Sequence, residues 1–595
     1  MASLFWQMGL AFVTALALVP ACRRAARRYG CVALPREERW HREPTPMLGG
    51  VALAATVIGL STATGQALVL PALLAGTGLM CILGLTDDVR TLKPATKLVV
   101  EIAVASLLVF FGYRLHWVES LTGDTLLTLI WIVGITNAFN LLDNMDGLCA
   151  GVALIAGVAL IAAYGGAEPS PPEVAFAALL VGACAGFLVY NVHPASIFMG
   201  DSGSLFIGAS LATVTLGLGG AAGGQSSVLA VIAVPAFVLL IPILDTTLVT
   251  VSRLLSGRTP ATGGRDHTSH RLVAIGLSER RAVATLWGLA AIGGGIGVFV
   301  RHFEPGWSLV LAALFLVAMA LFAVYLAQVR VYEDAGQAPG GGAITPIVVN
   351  FVYRRRVAEV LLDTLLVAIA YYAAYRLRFE GDDWGAQFPR FLESLPIVVG
   401  VQMMALFVTG VYRGVWRHFS LMDGVVFVQG VAAGVTAVVV TLVFAYRFDG
   451  YSRTVFAIYV LLLLALLLAS RSSFRLMGEF VRRRRPAGER VVVYGADDAG
   501  VGALREVVGG STAGVQIVGF IDEDDTRHGA RVHGYRVLGG YDALAALIEA
   551  GEVDSVVLGA GPPDAVRLRA LERLCAGRGV ALSRIRVQVE NLVDR

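Results

Sequence analysis

ALVLPALLAGTGLMCILGLTDDVRTLKPATK, residues 67–97, decides the fold class. Residues 67–86 carry no charge and are long enough as a helix to cross a hydrocarbon core about 30 Å thick. The run ends on Asp87-Asp88, and a short polar gap leads to Lys97, where the next apolar run begins. Carboxylates beside a bilayer are costly and mark function by default.

The same arrangement recurs on both sides of this stretch. Apolar runs lie near 3–20, 46–65, 67–86, 98–113, 124–140, 148–165, 173–190, 203–220, 226–252, 282–301 and 306–328, predicting about eleven transmembrane helices. With 56% hydrophobic and only 15% charged residues, the chain lacks the charge a water-exposed surface of this size needs. The net charge of +3 gives nucleic-acid binding no support. Arg23, Arg24, Arg27 and Arg28 follow the first run, which places that end in the cytoplasm and the N-terminus outside. No basic region precedes that run, so a retained anchor is expected rather than a cleaved signal peptide. The six cysteines have no metal-ligand spacing and are assigned no role.

Counting spans from that orientation puts the gaps at 87–97, 141–147, 191–202 and 253–281 all on the cytoplasmic side. The acid clusters fall there, and the opposite gaps carry none, so a single composite cytoplasmic site is expected. Beyond 330 the character changes. A Gly/Pro-rich linker at 331–350 is followed by four further spans near 357–376, 394–412, 424–445 and 455–471, within a module at 351–480. Arg482 to Arg485 and Pro486 mark the exit from the membrane. From 489 to 595 strand-like runs at 491–493, 515–521 and 553–558 alternate with helical patterns, predicting a small parallel α/β domain. The fold class is therefore a polytopic α-helical membrane protein with a C-terminal Rossmann-like domain.

Clustered carboxylates suit a hard cation such as Mg²⁺, which is held by one or two carboxylates plus substrate phosphates. Asp201, in Phe198-Met199-Gly200-Asp201-Ser202-Gly203-Ser204, is the first choice of ligand; the alternative is that it caps the following helix. Asp87 and Asp88 point about 100° apart on a helix, so one faces a ligand while the other serves the structure. Lys97 either neutralises a phosphate or snorkels to the interface. In Asn137-Ala138-Phe139-Asn140-Leu141-Leu142-Asp143-Asn144-Met145-Asp146-Gly147, Asn140 and Asp143 form the functional pair; Asn144 and Asp146-Gly147 also read as turn residues. Arg265, His267, His270 and Arg271 read as a phosphate clamp, since two histidines without a third soft ligand make a poor zinc site. Asp245 lies inside its span and bonds either a substrate or a buried neighbour.

These stretches resemble the polyprenyl-phosphate N-acetylhexosamine-1-phosphate transferases. The resemblance rests on Asp87-Asp88, Asn137 to Gly147, Met199 to Ser204, the His/Arg loop and Pro44-Thr45-Pro46-Met47-Leu48-Gly49-Gly50, and it covers residues 1–330. It implies transfer of a sugar-1-phosphate from a UDP-sugar to undecaprenyl or another polyprenyl phosphate, releasing UMP, with Mg²⁺ or with Mn²⁺ in its place. It makes Asp201 the metal ligand, with Asp143 as a second, and puts Asn140 and Asp143 near the metal and nucleotide. It also puts Asp87 or Asp88 near the lipid phosphate, and His267 and His270 by the diphosphate or sugar. Lys97, Asn137, Asp146, Asp245, Arg265 and Arg271 join these as substrate-binding candidates. Met47 stands where many members carry Arg. The sparse His267-Thr268-Ser269-His270 stretch argues against the branch that transfers phospho-N-acetylmuramoyl-pentapeptide.

Residues 350–595 resemble the front part of membrane-bound nucleotide-sugar dehydratases and epimerases, through Tyr412-Arg413-Gly414-Val415-Trp416-Arg417, Val491 to Gly500, and Val518 to Asp524. The large catalytic domain of those enzymes is expected to be missing. Gly495 and Gly500 are weak cofactor-binding candidates, because Asp497 replaces the second glycine of a dinucleotide fingerprint and would repel a pyrophosphate. NAD chemistry is therefore not expected, and docking or regulation is. The expected partners are the bilayer, the polyprenyl phosphate and the UDP-sugar, together with a second copy of the chain and a sugar-modifying enzyme bound through the C-terminal module. Two other readings compete. A lipid-linked sugar transporter would concentrate its polar groups at mid-membrane, and a scaffold for nucleotide-sugar enzymes would leave the acid clusters without purpose.

Overall fold

Uncharged runs of this length can bury their backbone polar groups in lipid only by closing them in helices, and each apolar run read from the sequence forms one or two helices over its described residues in the computed structural model. The structure describes residues 2–33, 44–221, 228–255, 264, 266–303, 305–327, 329, 351–379, 381–413, 421–447, 450–482, 489–510, 515–559 and 565–585. The linker at 331–350 and Arg265 lie outside them, as do Gly414 to Arg417 and Arg483 to Arg485. The chain divides into two compact units, Met1–Leu476 and Met477–Arg595.

The first unit opens with α1 (Ala2–Tyr29), β1 (Val32–Ala33), β2 (Thr45–Pro46), α2 (Gly49–Ala63), α3 (Gln66–Val69), α4 (Pro71–Arg90), α5 (Pro94–Phe110) and α6 (Leu121–Leu142). It continues through α7 (Leu148–Tyr164), α8 (Pro172–Asn191), α9 (Gly200–Ala221), α10 (Val228–Val238) and α11 (Leu240–Leu255). The short α12 (Thr268–Ala274) and the long α13 (Glu279–His302) and α14 (Pro305–Ala327) follow. Four more helices, Phe351–Arg378, Asp382–Val408, Leu421–Tyr446 and Arg453–Arg482, complete the membrane part.

Among the described residues, eleven helices are long and apolar enough to cross a bilayer by themselves. The other four runs give short or broken helices: α2, α5, α7 and the pair α10–α11. Pro242, just beyond the break at Leu239, has no amide hydrogen to carry the helical ladder across it. α9 is the most enclosed span, 89% buried, followed by α8 at 72%. They form the centre of the bundle, with α4, α6 and α2 packed on α9 and α1 and α7 on α8. Outward-facing side chains are large and apolar, such as Phe110, 81% exposed, and Phe444, 86% exposed. That surface suits lipid and would be a liability in water.

The last four helices share one aromatic core around Tyr371, Tyr375, Phe391 and Tyr459, which also takes in Val310 and Val317 of α14. A fully buried ion pair, Arg471 to Asp363 at 2.6 Å, ties the last of these helices to the first.

The second unit is a six-stranded sheet of order β5-β6-β4-β3-β7-β8. Its strands are β3 (Glu489–Tyr494), β4 (Val515–Ile521), β5 (Arg531–Val532), β6 (Tyr535–Gly539), β7 (Ser555–Leu558) and β8 (Ala581–Arg584). All neighbours are parallel except the β5–β6 hairpin at one edge. The sheet is therefore mixed rather than purely parallel, and strand order reverses beside β3, where doubly wound folds place a ligand crevice.

Candidate active site

The polar gaps of the first unit meet at one end of the bundle, and hydrogen bonds join each to the next. Asp88, near the C-terminal end of α4, reaches the start of α9: its carboxylate accepts from the Asp201 amide at 2.8 Å and the Ser202 amide at 3.1 Å. The unsatisfied amides of a helix N-terminus are thus capped by a carboxylate from another helix. Gly200 makes this possible, with φ +68 and no side chain to collide with Asp88, which would lie 2.6 Å from a Cβ there. The early loop is held to the same segment: Gly49 and Gly50 donate to the Phe198 and Met199 carbonyls at 3.0 and 2.9 Å, and Phe198 donates back to Pro46 at 2.8 Å. Gly203 meets Gly50 rather than open space, since a Cβ on Gly50 would lie 2.0 Å from the Gly203 nitrogen.

Asp87, the other carboxylate of the pair, faces the opposite way. Lys97, reaching back from the first turns of α5, sets its ammonium 3.3 Å from Asp87 and 2.5 Å from Asp201. It also donates to the Asn140 carbonyl oxygen at 3.3 Å. Asn140 in turn donates to Ser204 at 2.9 Å. One cation therefore lies between two carboxylates and an amide oxygen drawn from three loops. Of the two roles read for Lys97, snorkelling does not describe it. Asp143 ends α6 as its C-cap, one turn beyond Asn140.

The remaining expected residues divide. Ser269 donates to the Asn144 side chain at 2.6 Å, which brings α12 against the Asn137–Gly147 segment. Asp146 Oδ2 is engaged by His193 at 3.0 Å and by the Ala195 amide at 3.0 Å, tying the second gap to the third. Of the two roles read for Asp245, the buried neighbour is the one seen. Asp245 is 1% exposed, and its two oxygens take His267 Nδ1 at 2.9 Å and the Thr268 amide at 2.6 Å, so it satisfies buried neighbours and fixes the His267 ring. That bond leaves Nε2 as the ring nitrogen turned away from Asp245. His270 lies beside it, with ring centroids 5.8 Å apart.

Arg271 is a correction. It donates to the Asp266 carbonyl at 2.8 Å, to Leu326, Ala327 and Val329 carbonyls at 2.9, 3.3 and 3.1 Å, and to Ser252 at 3.1 Å. A guanidinium so committed caps the C-terminal end of α14 and is no phosphate clamp. Asp266, read only as part of the loop, is held by both arms of Arg253 at 2.9 and 2.6 Å. Burial pushes the Asp266 carboxyl up, but the bonds and charge from Arg253 outweigh it and hold it below the usual carboxylate range.

Sequence reasoning passed over one group at this site. Glu101 lies one helical turn beyond Lys97, is 0% exposed, and accepts from the Asn137 amide. The signal was present: a second charge at i+4 inside an apolar run is too costly to be idle.

The donor chemistry here fits a hard divalent cation. Asp87 and Asp201 are close enough to share one ammonium, and two carboxylates plus substrate phosphates suffice for Mg²⁺. Among the described residues no group of three or more His, Cys, Asp or Glu is placed to hold a metal unaided, so substrate phosphates would have to complete the shell.

In the second unit the turn after β3 is closed on itself. Gly495 has φ +98, and Asp497 accepts from the Gly500 amide at 2.9 Å. The carboxylate thus takes the amide that a bound phosphate would need. A Cβ on Gly500 would lie 1.8 Å from the Gly495 carbonyl oxygen, so the tight turn requires glycine there.

Comparison with known proteins agrees with this geometry. A family model described as glycosyl transferase family 4 matches residues 70–219, and one described as a CoA-binding domain matches residues 408–559. A decaprenyl-phosphate N-acetylglucosaminephosphotransferase of Mycolicibacterium smegmatis is 36% identical over 360 residues, 53% of this chain and 86% of that one. A probable undecaprenyl-phosphate N-acetylglucosaminyl 1-phosphate transferase of Bacillus subtilis is 33% identical, covering 47% of this chain and 79% of that one. A phospho-N-acetylmuramoyl-pentapeptide-transferase of Anoxybacillus flavithermus is 31% identical, covering 49% and 96%.

Proposed function

The chain belongs to the polyprenyl-phosphate N-acetylhexosamine-1-phosphate transferases of glycosyl transferase family 4, and from that membership we propose that it transfers N-acetylglucosamine-1-phosphate from UDP-N-acetylglucosamine to a polyprenyl phosphate. The site lies at the cytoplasmic face of the cell membrane, where it starts a cell-envelope polysaccharide.

In this reaction a phosphate oxygen of the lipid attacks the sugar-bearing phosphorus of the donor. The bond from that phosphorus to the bridging oxygen breaks, and UMP leaves with the electron pair. A phosphate monoester has its second pKa near 6, so the acceptor is already ionised at neutral pH and no proton has to be removed. The obstacle is charge: two unit charges 4 Å apart repel by about 4 kcal/mol at an effective dielectric of 20. Asp201 and Asp87 would hold a divalent cation, Mg²⁺ or Mn²⁺, which would supply the charge neutralisation that the two phosphates need. Lys97 adds a second positive charge beside these carboxylates, and Asn140, itself anchored by donating to Ser204, orients that ammonium through its side-chain oxygen. Asp88 keeps Asp201 aimed by capping its helix. Asp245 holds His267 so that Nε2 meets the donor diphosphate or sugar.

The observation that carries this reading is the single ammonium of Lys97 held between Asp87 and Asp201, from different loops, at the mouth of an apolar bundle. The test is UMP release by the purified full chain from UDP-N-acetylglucosamine and undecaprenyl phosphate, with and without EDTA, against a panel of UDP-sugars. Release that EDTA abolishes and Mg²⁺ restores supports the reading; no release from any donor rejects it.

A further inference from the structure

Glu101 has no assigned role, yet it is a wholly enclosed carboxylate beside the site. Its Oε2 accepts from Asn137 Nδ2, while its Oε1 has no partner among the described residues. A carboxylate retained only to hold two helices together would be paired on both oxygens, because a bare buried oxygen is destabilising. Lys97 sits four residues earlier on the same face of α5, so the two charged groups of this helix stack at the site.

The consequence falls on Asn137. Its amide nitrogen donates to Glu101 and to the Val133 carbonyl, the latter at 2.9 Å. Both partners are acceptors only, so both amide hydrogens are committed and the amide has one possible orientation. The carbonyl oxygen Oδ1 must then face away from Glu101 and Val133. Three residues on, Asn140 is already engaged through both ends of its own amide, by Lys97 and Ser204. Of the two amides, Asn137 therefore has the free end, and that end is an acceptor.

We infer that Glu101 is a positioning residue that turns the Asn137 carbonyl oxygen toward the sugar nucleotide, where it accepts from an N–H or O–H group of the donor and not from a phosphate. This deepens the transferase reading and rests on it.

The test is an exchange of carboxylate and amide across the pair in the full chain, made as Asn137→Asp, Glu101→Gln and the double variant Glu101→Gln/Asn137→Asp, with Asn137→Leu as the deletion. Dissociation constants for UDP-N-acetylglucosamine are measured by calorimetry beside KM and kcat. Asn137→Asp sets two carboxylates against each other, and it and Asn137→Leu are expected to weaken donor binding at least about tenfold, with KM moving more than kcat. The double variant restores the contact between residues 101 and 137 with reversed polarity but leaves the Val133 carbonyl without a donor, so it is expected to bind the donor clearly better than Asn137→Asp without reaching wild type. A double variant no better than Asn137→Asp, or an Asn137→Leu variant that binds the donor normally, overturns the inference. A wild-type chain that binds the donor without releasing UMP rejects the transferase reading instead, and the binding cycle still decides the role of Glu101.

Discussion

The carboxylate of Asp88 caps the helix that carries Asp201, accepting from the Asp201 amide at 2.8 Å. Two acids from distant parts of the chain are thereby joined as support and supported group. The adjacent Asp87 is left to face Lys97 at 3.3 Å. Asp87 also accepts from the Leu92 amide at 2.5 Å, a bond that an asparagine oxygen can keep, so the two acids differ in what their loss should do.

Asp88→Ala removes a cap, which is typically worth about 0.5–2 kcal/mol, and frees the start of α9 to shift. Both Tm and kcat are expected to fall, whereas Asp88→Asn keeps an acceptor and should retain part of each. Asp87→Asn should leave Tm unchanged while lowering turnover about a hundredfold or more, in the range seen when one charge-stabilising group is lost. Thermal melts beside UMP-release kinetics check both; an Asp87→Asn variant with normal turnover contradicts the assignment.

Arg271→Ala separates structure from substrate binding at the fourth loop. Its donors go to the carbonyls of Asp266, Leu326, Ala327 and Val329. Losing hydrogen bonds from a charged donor costs about 1.5–3 kcal/mol each, so the melting temperature should drop clearly. The KM for the UDP-sugar, taken below that temperature, should hold. A raised KM with an unchanged melt would restore Arg271 to the phosphate clamp.

Asp245→Asn should keep the fold and lose the fixed His267 ring, because the amide bonds the ring less strongly and without charge. A fall in kcat of about tenfold to a hundredfold is expected, as for other partners that orient a histidine. His267→Ala in the same background should then add little, since residues acting as a unit are not additive. Full additivity in that double variant would separate the two residues.

Acid should loosen the loop at Asp266. Arg253 holds its carboxyl below the ordinary value of about 3.9. A depressed folded value means the pair contributes fully above that ordinary value, and the contribution is lost as pH falls through the folded one. Wild type should lose melting temperature on acidification below about pH 4 more steeply than Asp266→Asn. Parallel curves would show that the pair carries no such linkage.

Much of this was legible in the sequence, and the reasons are physical. Apolar runs such as 67–86 have no low-energy alternative to a helix in lipid, and the end of the bundle at which Asp87, Asn140 and Asp201 emerge follows from counting them. What could not be read was the division of labour within each cluster. Asp87 and Asp88 are indistinguishable until the start of α9 is seen to lie against one of them. Arg271 looked like a phosphate ligand because its true partners, the carbonyls at the end of α14, are backbone groups that any sequence supplies. Glu101 was overlooked because a lone charge in an apolar run reads as an exception rather than as half of a pair with Asn137. The β5–β6 hairpin escaped notice because its first strand is two residues long.

The most direct test of the proposed site is UMP release by Asp201→Asn at saturating Mg²⁺, compared with wild type, once thermal melts show both to be folded. The account predicts loss of about a hundredfold to a thousandfold that added metal does not recover. Turnover near the wild-type rate would contradict it, since Asp201 would then hold neither the cation nor the phosphates in place.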